Sequence, residues 1–118
     1  MFQANNRVIL LSRGDTGILR FAVEGVSLTE RDRAVFTVKN SRGVVMIRKI
    51  VQPDKPDEIR IPLVNSDTEN ILAGSYEWDI RVVIEAKLAA NGDVVDGSAV
   101  ATPYPPGIFR IVKVVGSV

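Results

Sequence analysis

The chain predicts an all-β fold, an immunoglobulin-like antiparallel β-sandwich of seven to eight strands, and three observations carry that expectation. From residue 76 the large apolar side chains fall on every second position, Tyr76, Trp78, Ile80, Val82 and Ile84, with Glu77, Asp79, Arg81 and Glu85 between them. A period of two belongs to a strand with one dry and one wet face, not to a helix. No stretch sustains a 3.6-residue apolar period beyond about one turn. Short alternating runs are separated by Gly, Pro, Asn and Asp signals at sandwich spacing.

Residues 76–85 are read as the central core strand. At ~3.3 Å per residue such a segment crosses a small domain, and it contains the single tryptophan. The rest of the fold has to pack against Trp78.

Taken in order, residues 7–12 form a short first strand stopped by Arg13-Gly14-Asp15, where glycine and aspartate favour a turn. Leu19, Phe21 and Val23 then share one face of a half-buried strand, with Arg20, Ala22 and Glu24 on the other. After a polar connection, Ala34, Phe36 and Val38 mark a third strand that ends at the hairpin-type turn Asn40-Ser41-Arg42-Gly43. Residues 44–51 read as a strand whose register alternation alone leaves open, because Arg48-Lys49 interrupts the apolar run. Ile59, Ile61 and Leu63 alternate again, and Pro62, which lacks a ladder donor, places that strand at an edge or a bulge.

Residues 65–75 are turn-rich, with Ser66 or Asp67 as the cap of a single helical turn and Gly74 releasing the chain into the core strand. Beyond Ile84, Asn91-Gly92-Asp93 is the strongest hairpin signal in the chain, and Asp96-Gly97 is a second turn. Pro103-Tyr104-Pro105-Pro106-Gly107 interrupts any ladder before a last strand that turns Phe109 and Ile111 inward and pairs with the core strand. Residues 87–106 therefore form a protruding arm between two core strands, and long connections of that kind are usually functional or mobile.

Composition narrows the function classes. The 118 residues fit one domain, 1–118. Fifteen basic against fourteen acidic residues leave a net charge of +1, interleaved as in Glu30-Arg31-Asp32-Arg33, so no face is built to attract phosphate and nucleic acid is not an expected partner. With no cysteine and no histidine, disulfides, thiolate nucleophiles, Cys/His zinc sites and imidazole bases are excluded. The first residues are polar, and the apolar run from Val8 to Leu11 is far shorter than a signal-peptide core; no apolar stretch approaches the ~20 residues of a membrane span. The expectation is a protein made in the cytoplasm without a signal peptide.

Candidate chemistry is sparse. Arg13-Gly14-Asp15 matches the tripeptide that integrins recognise, but a turn between strands wants the same residues. Glu77 and Asp79 lie on one face and such pairs can do acid/base work, yet alternation with Arg81 makes them a solvated charge row with cross-strand partners. Asp67, Glu69, Asn91, Asp93 and Asp96 supply hard oxygen ligands without the spacing of a calcium loop. No metal, cofactor or catalytic residue is expected. Sugar binding needs exposed aromatics; with Phe21, Phe36, Tyr76, Trp78 and Phe109 turned to the core, only Phe2 and Tyr104 are left for it.

The order of these elements resembles the N-terminal domain of phage baseplate upper proteins, an immunoglobulin-like family. Gly14-Asp15-Thr16 resembles its opening, and Leu28-Thr29 with Val35-Phe36-Thr37-Val38-Lys39 resembles its next segment. Leu72-Ala73-Gly74-Ser75-Tyr76-Glu77-Trp78-Asp79-Ile80 resembles the Pro/Ala-Gly-x-Tyr-x-Tyr/Trp-Asp-Ile approach to the central strand, and Gly107-Ile108-Phe109-Arg110-Ile111 the closing Gly-x-Phe-x-Ile.

The likeness runs from about residue 14 to residue 114, on structural motifs. Family members continue into a linker and further domains, whereas this chain stops after its last strand, and its 87–106 arm is longer. Both departures fit a free-standing accessory tail component of a phage or prophage.

The resemblance implies a non-enzymatic tail or baseplate structural protein, a virion component assembled in the host cytoplasm. It would act through contacts with other tail proteins and as a homo-oligomer, with no membrane partner. The alternative is a free-standing ligand-binding or adhesion sandwich, with carbohydrate as the ligand. Asn91, Asp93 and Tyr104, in the arm, are the candidate interface residues.

Overall fold

Strands follow one another as β1 (Phe2–Asn5), β2 (Val8–Ser12), β3 (Gly17–Ala22), β4 (Arg33–Lys39), β5 (Val45–Val51) and β6 (Glu58–Leu63), then one helical turn α1 (Asn65–Thr68). The chain continues through β7 (Gly74–Ile84), β8 (Lys87–Leu88), β9 (Val94–Asp96), β10 (Ala99–Ala101) and β11 (Gly107–Val112). The computed structural model describes residues 2–5, 8–23, 25, 27–101 and 106–113, with backbone alone at 2–5 and 101.

The architecture is an all-β sandwich with two unequal layers. The larger sheet runs β1-β2-β11-β7-β4-β5, with β10 also on β7, and the smaller is β3-β6. Seven strands, β2 to β7 and β11, make the two layers of the sandwich; β1 and β10 widen the larger sheet, and β8-β9 is a separate hairpin. Most pairs are antiparallel, but β2 and β11 run parallel, Ile9 opposite Phe109 and Leu11 opposite Ile111. Parallel neighbours need a long connection, and these two strands are joined by most of the domain.

The period-two segment is the centre of the larger sheet. β7 pairs with β4 on one side, Ile80 opposite Phe36, and with β11 and β10 on the other. Trp78 is 2% exposed, and its ring lies 5.4 Å from Phe21 and 6.0 Å from Phe36, with Phe109 a further 6.2 Å beyond Phe36. Contacts in that distance range add about 0.5–1.5 kcal/mol each beyond area burial. β3 and β6 close the other side with Leu19, Phe21, Ile59, Ile61 and Leu63.

Tyr76 is half-buried, and its hydroxyl donates to the Leu72 carbonyl at 2.6 Å. This is the tyrosine-corner arrangement of immunoglobulin sandwiches, a tyrosine at the start of a core strand tied to backbone just upstream.

Several elements differ from their sequence expectation. β1 pairs with β2, Gln3 opposite Leu10, where the sequence shows only a polar segment; a strand of four residues is too short to announce itself by alternation. β5 turns Ile47 inward and sets Lys49 on the same face, opposite Phe36. The Lys49 ammonium reaches Asp67 at 2.9 Å at the rim of the core, which makes an inward-facing charge tolerable. The helical turn starts at Val64 rather than at Ser66 or Asp67, and Asp67 Oδ2 reaches back to accept from Val64 N–H at 2.8 Å. That is the acidic half of a capping box. Glu24, Arg7 and the end of the last predicted strand lie outside the described residues.

Pro62 is exposed on β6, whose only partner among the named strands is β3. A residue without an N–H fits that edge.

Candidate functional site

Arg13-Gly14-Asp15 is a turn clamped from two sides. Asp15 N–H donates to Ser12 O at 2.9 Å, and its carboxylate turns back to accept from Ser12 N–H at 3.2 Å. Gly14 has φ 86°, a left-handed conformation that suits glycine. Its N–H donates to the buried Thr68 hydroxyl at 2.8 Å, and its carbonyl accepts from Asn65 Nδ2 at 2.9 Å. The tripeptide thus serves to dock the loop before β3 on α1.

Glu77 and Asp79 face outward on β7, Glu77 exposed and Asp79 half-buried. Register places Lys39 beside Glu77 and Thr37 beside Asp79. Among the described residues no three histidine, cysteine, aspartate or glutamate side chains converge on a common point.

In the 87–106 segment, β8 and β9 form a hairpin around Asn91-Gly92-Asp93, with Gly92 at φ 85°. Asn91 is exposed and uses Oδ1 to accept from Asp93 N–H at 3.0 Å; Asp93 Oδ1 accepts from Val94 N–H at 2.9 Å and meets Arg48 Nη2 at 2.8 Å. The segment then returns to the larger sheet as β10, Val100 opposite Val83. Tyr104, the third candidate, lies outside the described residues, so the structure brings Asn91 and Asp93 into one turn and leaves Tyr104 unplaced.

Phe21, Phe36, Trp78 and Phe109 are buried and the Tyr76 hydroxyl is used internally, so no described aromatic side chain is exposed.

The surface feature that sequence reasoning missed lies on the outer face of the larger sheet. Register aligns Val8 on β2, Ile108 on β11, Glu77 on β7 and Lys39 on β4 in one row across four strands. Val8 and Ile108 are 38% and 44% exposed. The row floors a groove of about 740 Å³ walled by the β4–β5 turn. Asn40 stiffens that wall: its Oδ1 accepts from Arg42 N–H at 2.9 Å and Val44 N–H at 3.0 Å. Apolar at one end and oppositely charged at the other, the groove is suited to holding a polypeptide or another amphipathic surface. Its parts come from strands more than thirty residues apart, so no local pattern in the sequence pointed to it.

A second missed residue is Asp32, 2% exposed. It ties the turn at 29–32 to the end of β7: Oδ2 accepts from Thr29 N–H at 2.8 Å, and Oδ1 from Glu85 N–H at 3.0 Å. In the sequence it is one charge in an alternating run, with nothing to distinguish it from its neighbours.

Comparison with protein-family models, curated proteins and solved structures returned no match.

Proposed function

We propose that the protein is a non-enzymatic assembly component of a phage or prophage tail or baseplate. It works through protein surfaces as a homo-oligomer or docked on other tail proteins, and it is built into the virion in the host cytoplasm. The observation that carries the reading is the open row Val8, Ile108, Glu77 and Lys39, in which apolar and charged side chains adjoin on a rigid sheet and need little ordering to bind. The resemblance motifs add support: residues 72–80 make the tyrosine corner and the start of β7, and residues 107–111 make β11 beside it.

Light scattering after size exclusion, alone and mixed with the proteins encoded beside it, tests the proposal. The expected result is a defined oligomer or a co-eluting complex that Ile108→Asp disrupts while the thermal midpoint stays within a few degrees. A protein that is monomeric at every concentration and co-elutes with none of those partners refutes it. Saturable binding to a glycan array under the same conditions would decide for the carbohydrate-binding alternative.

A further inference from the structure

Two side chains on the outer face of the larger sheet, Val35 and Val83, are 5% and 8% exposed although neither belongs to the core cluster. Register sets Arg33 beside Val83 and Thr37 beside Arg48, so a line from Val83 on β7 to Arg48 on β5 crosses β4 at Val35. The β8-β9 hairpin has its two ends on that line. At its base Gly97 lies so close to Val83 that a Cβ there would collide with Val83 Cγ1; at its tip Asp93 meets Arg48.

The two ends are held differently. At the base, buried Asp32 accepts from Glu85 N–H, Ala86 N–H donates to Arg31 O at 2.9 Å, and Ser98 N–H donates to Ile84 O at 2.9 Å. Glu85 has φ 46°, a left-handed conformation that a non-glycine residue keeps only when its surroundings hold it there. At the tip Asp93 pairs with Arg48, and the two side chains are 43% and 45% exposed; exposed pairs of this kind hold weakly. The ladder has two register pairs with a shift between them, and Leu88 and Val95 stand exposed. Few buried contacts and accessible hydrogen bonds mark a segment of low local stability.

We propose that the β8-β9 hairpin is a strap, hinged on its hydrogen-bonded base at residues 85–86 and 97–98, that opens while the sandwich stays folded and uncovers Val35 and Val83. The device is independent of the assembly role, and its test reads a different observable.

Amide hydrogen exchange on the full chain tests it, comparing Ala89 and Gly92 in the hairpin, Glu85 and Ser98 at the base, and the amides of β4 and β7. Ala89 and Gly92 exchange at least about a hundredfold faster than the core amides after correction for intrinsic rates. Raising salt from 0.1 to 1 M, or Arg48→Gln, speeds those two amides roughly two- to five-fold and leaves base and core unchanged. Hairpin amides exchanging at the core rate, no response to either perturbation, or an equal response everywhere would overturn the strap. Deleting residues 87–96 is expected to raise apolar-dye binding while Trp78 emission stays that of a buried ring. Unchanged dye binding on a folded deletion variant would overturn the coverage of Val35 and Val83. The salt series on the unaltered chain stands should that variant fail to fold.

Discussion

Replacing Asp32 with alanine removes the acceptor that joins the 29–32 turn to the end of β7. Its carboxylate takes Thr29 N–H at 2.8 Å, the Thr29 hydroxyl at 3.4 Å and Glu85 N–H at 3.0 Å, all at a residue 2% exposed. A hydrogen bond to a charged group contributes roughly 1.5–3 kcal/mol; the longer hydroxyl contact adds little. Two backbone donors at the low end of that range, because water reaches part of the site once the side chain is gone, give about 3 kcal/mol lost in Asp32→Ala. Asp32→Asn keeps one oxygen and sets an amide N–H against the other donor, so it costs about half as much. Urea unfolding followed by the fluorescence of Trp78, packed 5.4 Å from Phe21, measures both. With a slope of about 1–3 kcal/mol/M, the alanine variant shifts the midpoint by about 1–3 M. Both variants within about 0.5 kcal/mol of the parent, or equal losses in the two, would refute the bond-by-bond reasoning.

Three further expectations rest on other contacts. Gly97→Ala places a Cβ against Val83 Cγ1 and 2.8 Å from the Ile84 carbonyl, so it destabilises by about 1–3 kcal/mol in thermal melts; a neutral result would show that the hairpin base can shift. Asp67→Ala deprives both Val64 N–H and the Lys49 ammonium of their acceptor, at a cost of about 1–3 kcal/mol, whereas Lys49→Met, which keeps an apolar stem at the core rim, costs less; the reverse ranking in urea would contradict this account. The Arg60 guanidinium, hydrogen-bonded to Glu58 at 2.6 Å, holds the Glu58 carboxyl below its ordinary 4.5. A lowered folded-state pKa stabilises fully above the unfolded value and fades as pH falls through the folded one. The stability gap between the parent and Glu58→Gln therefore narrows on acidification below 4.5, and melts showing it widen would reverse the assignment.

The parts of the fold legible in the sequence are those written in side-chain rhythm. The alternation in residues 76–84 makes Trp78 a core residue and β7 a strand, and the same signal finds Leu19 and Phe21, Phe36 and Val38, and Phe109 and Ile111. Turn chemistry is equally local: Gly14 and Gly92 sit at positive φ where the sequence places turns. β1 was invisible because four residues are too few to carry a rhythm, and the register of β5 was open because Lys49 breaks the alternation, its inward position depending on Asp67, eighteen residues away.

The candidate surface divides in the same way. Asn91 and Asp93 were readable as a hairpin turn, but that Asp93 reaches Arg48 depends on where the hairpin lies, which no local pattern encodes. The row Val8, Ile108, Glu77 and Lys39 exists only because β2, β11, β7 and β4 are neighbours in the sheet, and Asp32 becomes a staple only when β7 ends beside its turn.

By itself the sequence determined the all-β class, the core face of the strands whose side chains alternate cleanly and the places where the chain turns, since these follow from residue-to-residue periodicity and the conformational preferences of single residues. Beyond the hairpins and the pairing of the last strand with the core strand, only the tertiary structure decided which strands adjoin, which outward faces stay bare and which charges find partners. Those outcomes depend on contacts between segments far apart in the chain, and their energies are set by burial and geometry, neither of which a residue carries alone.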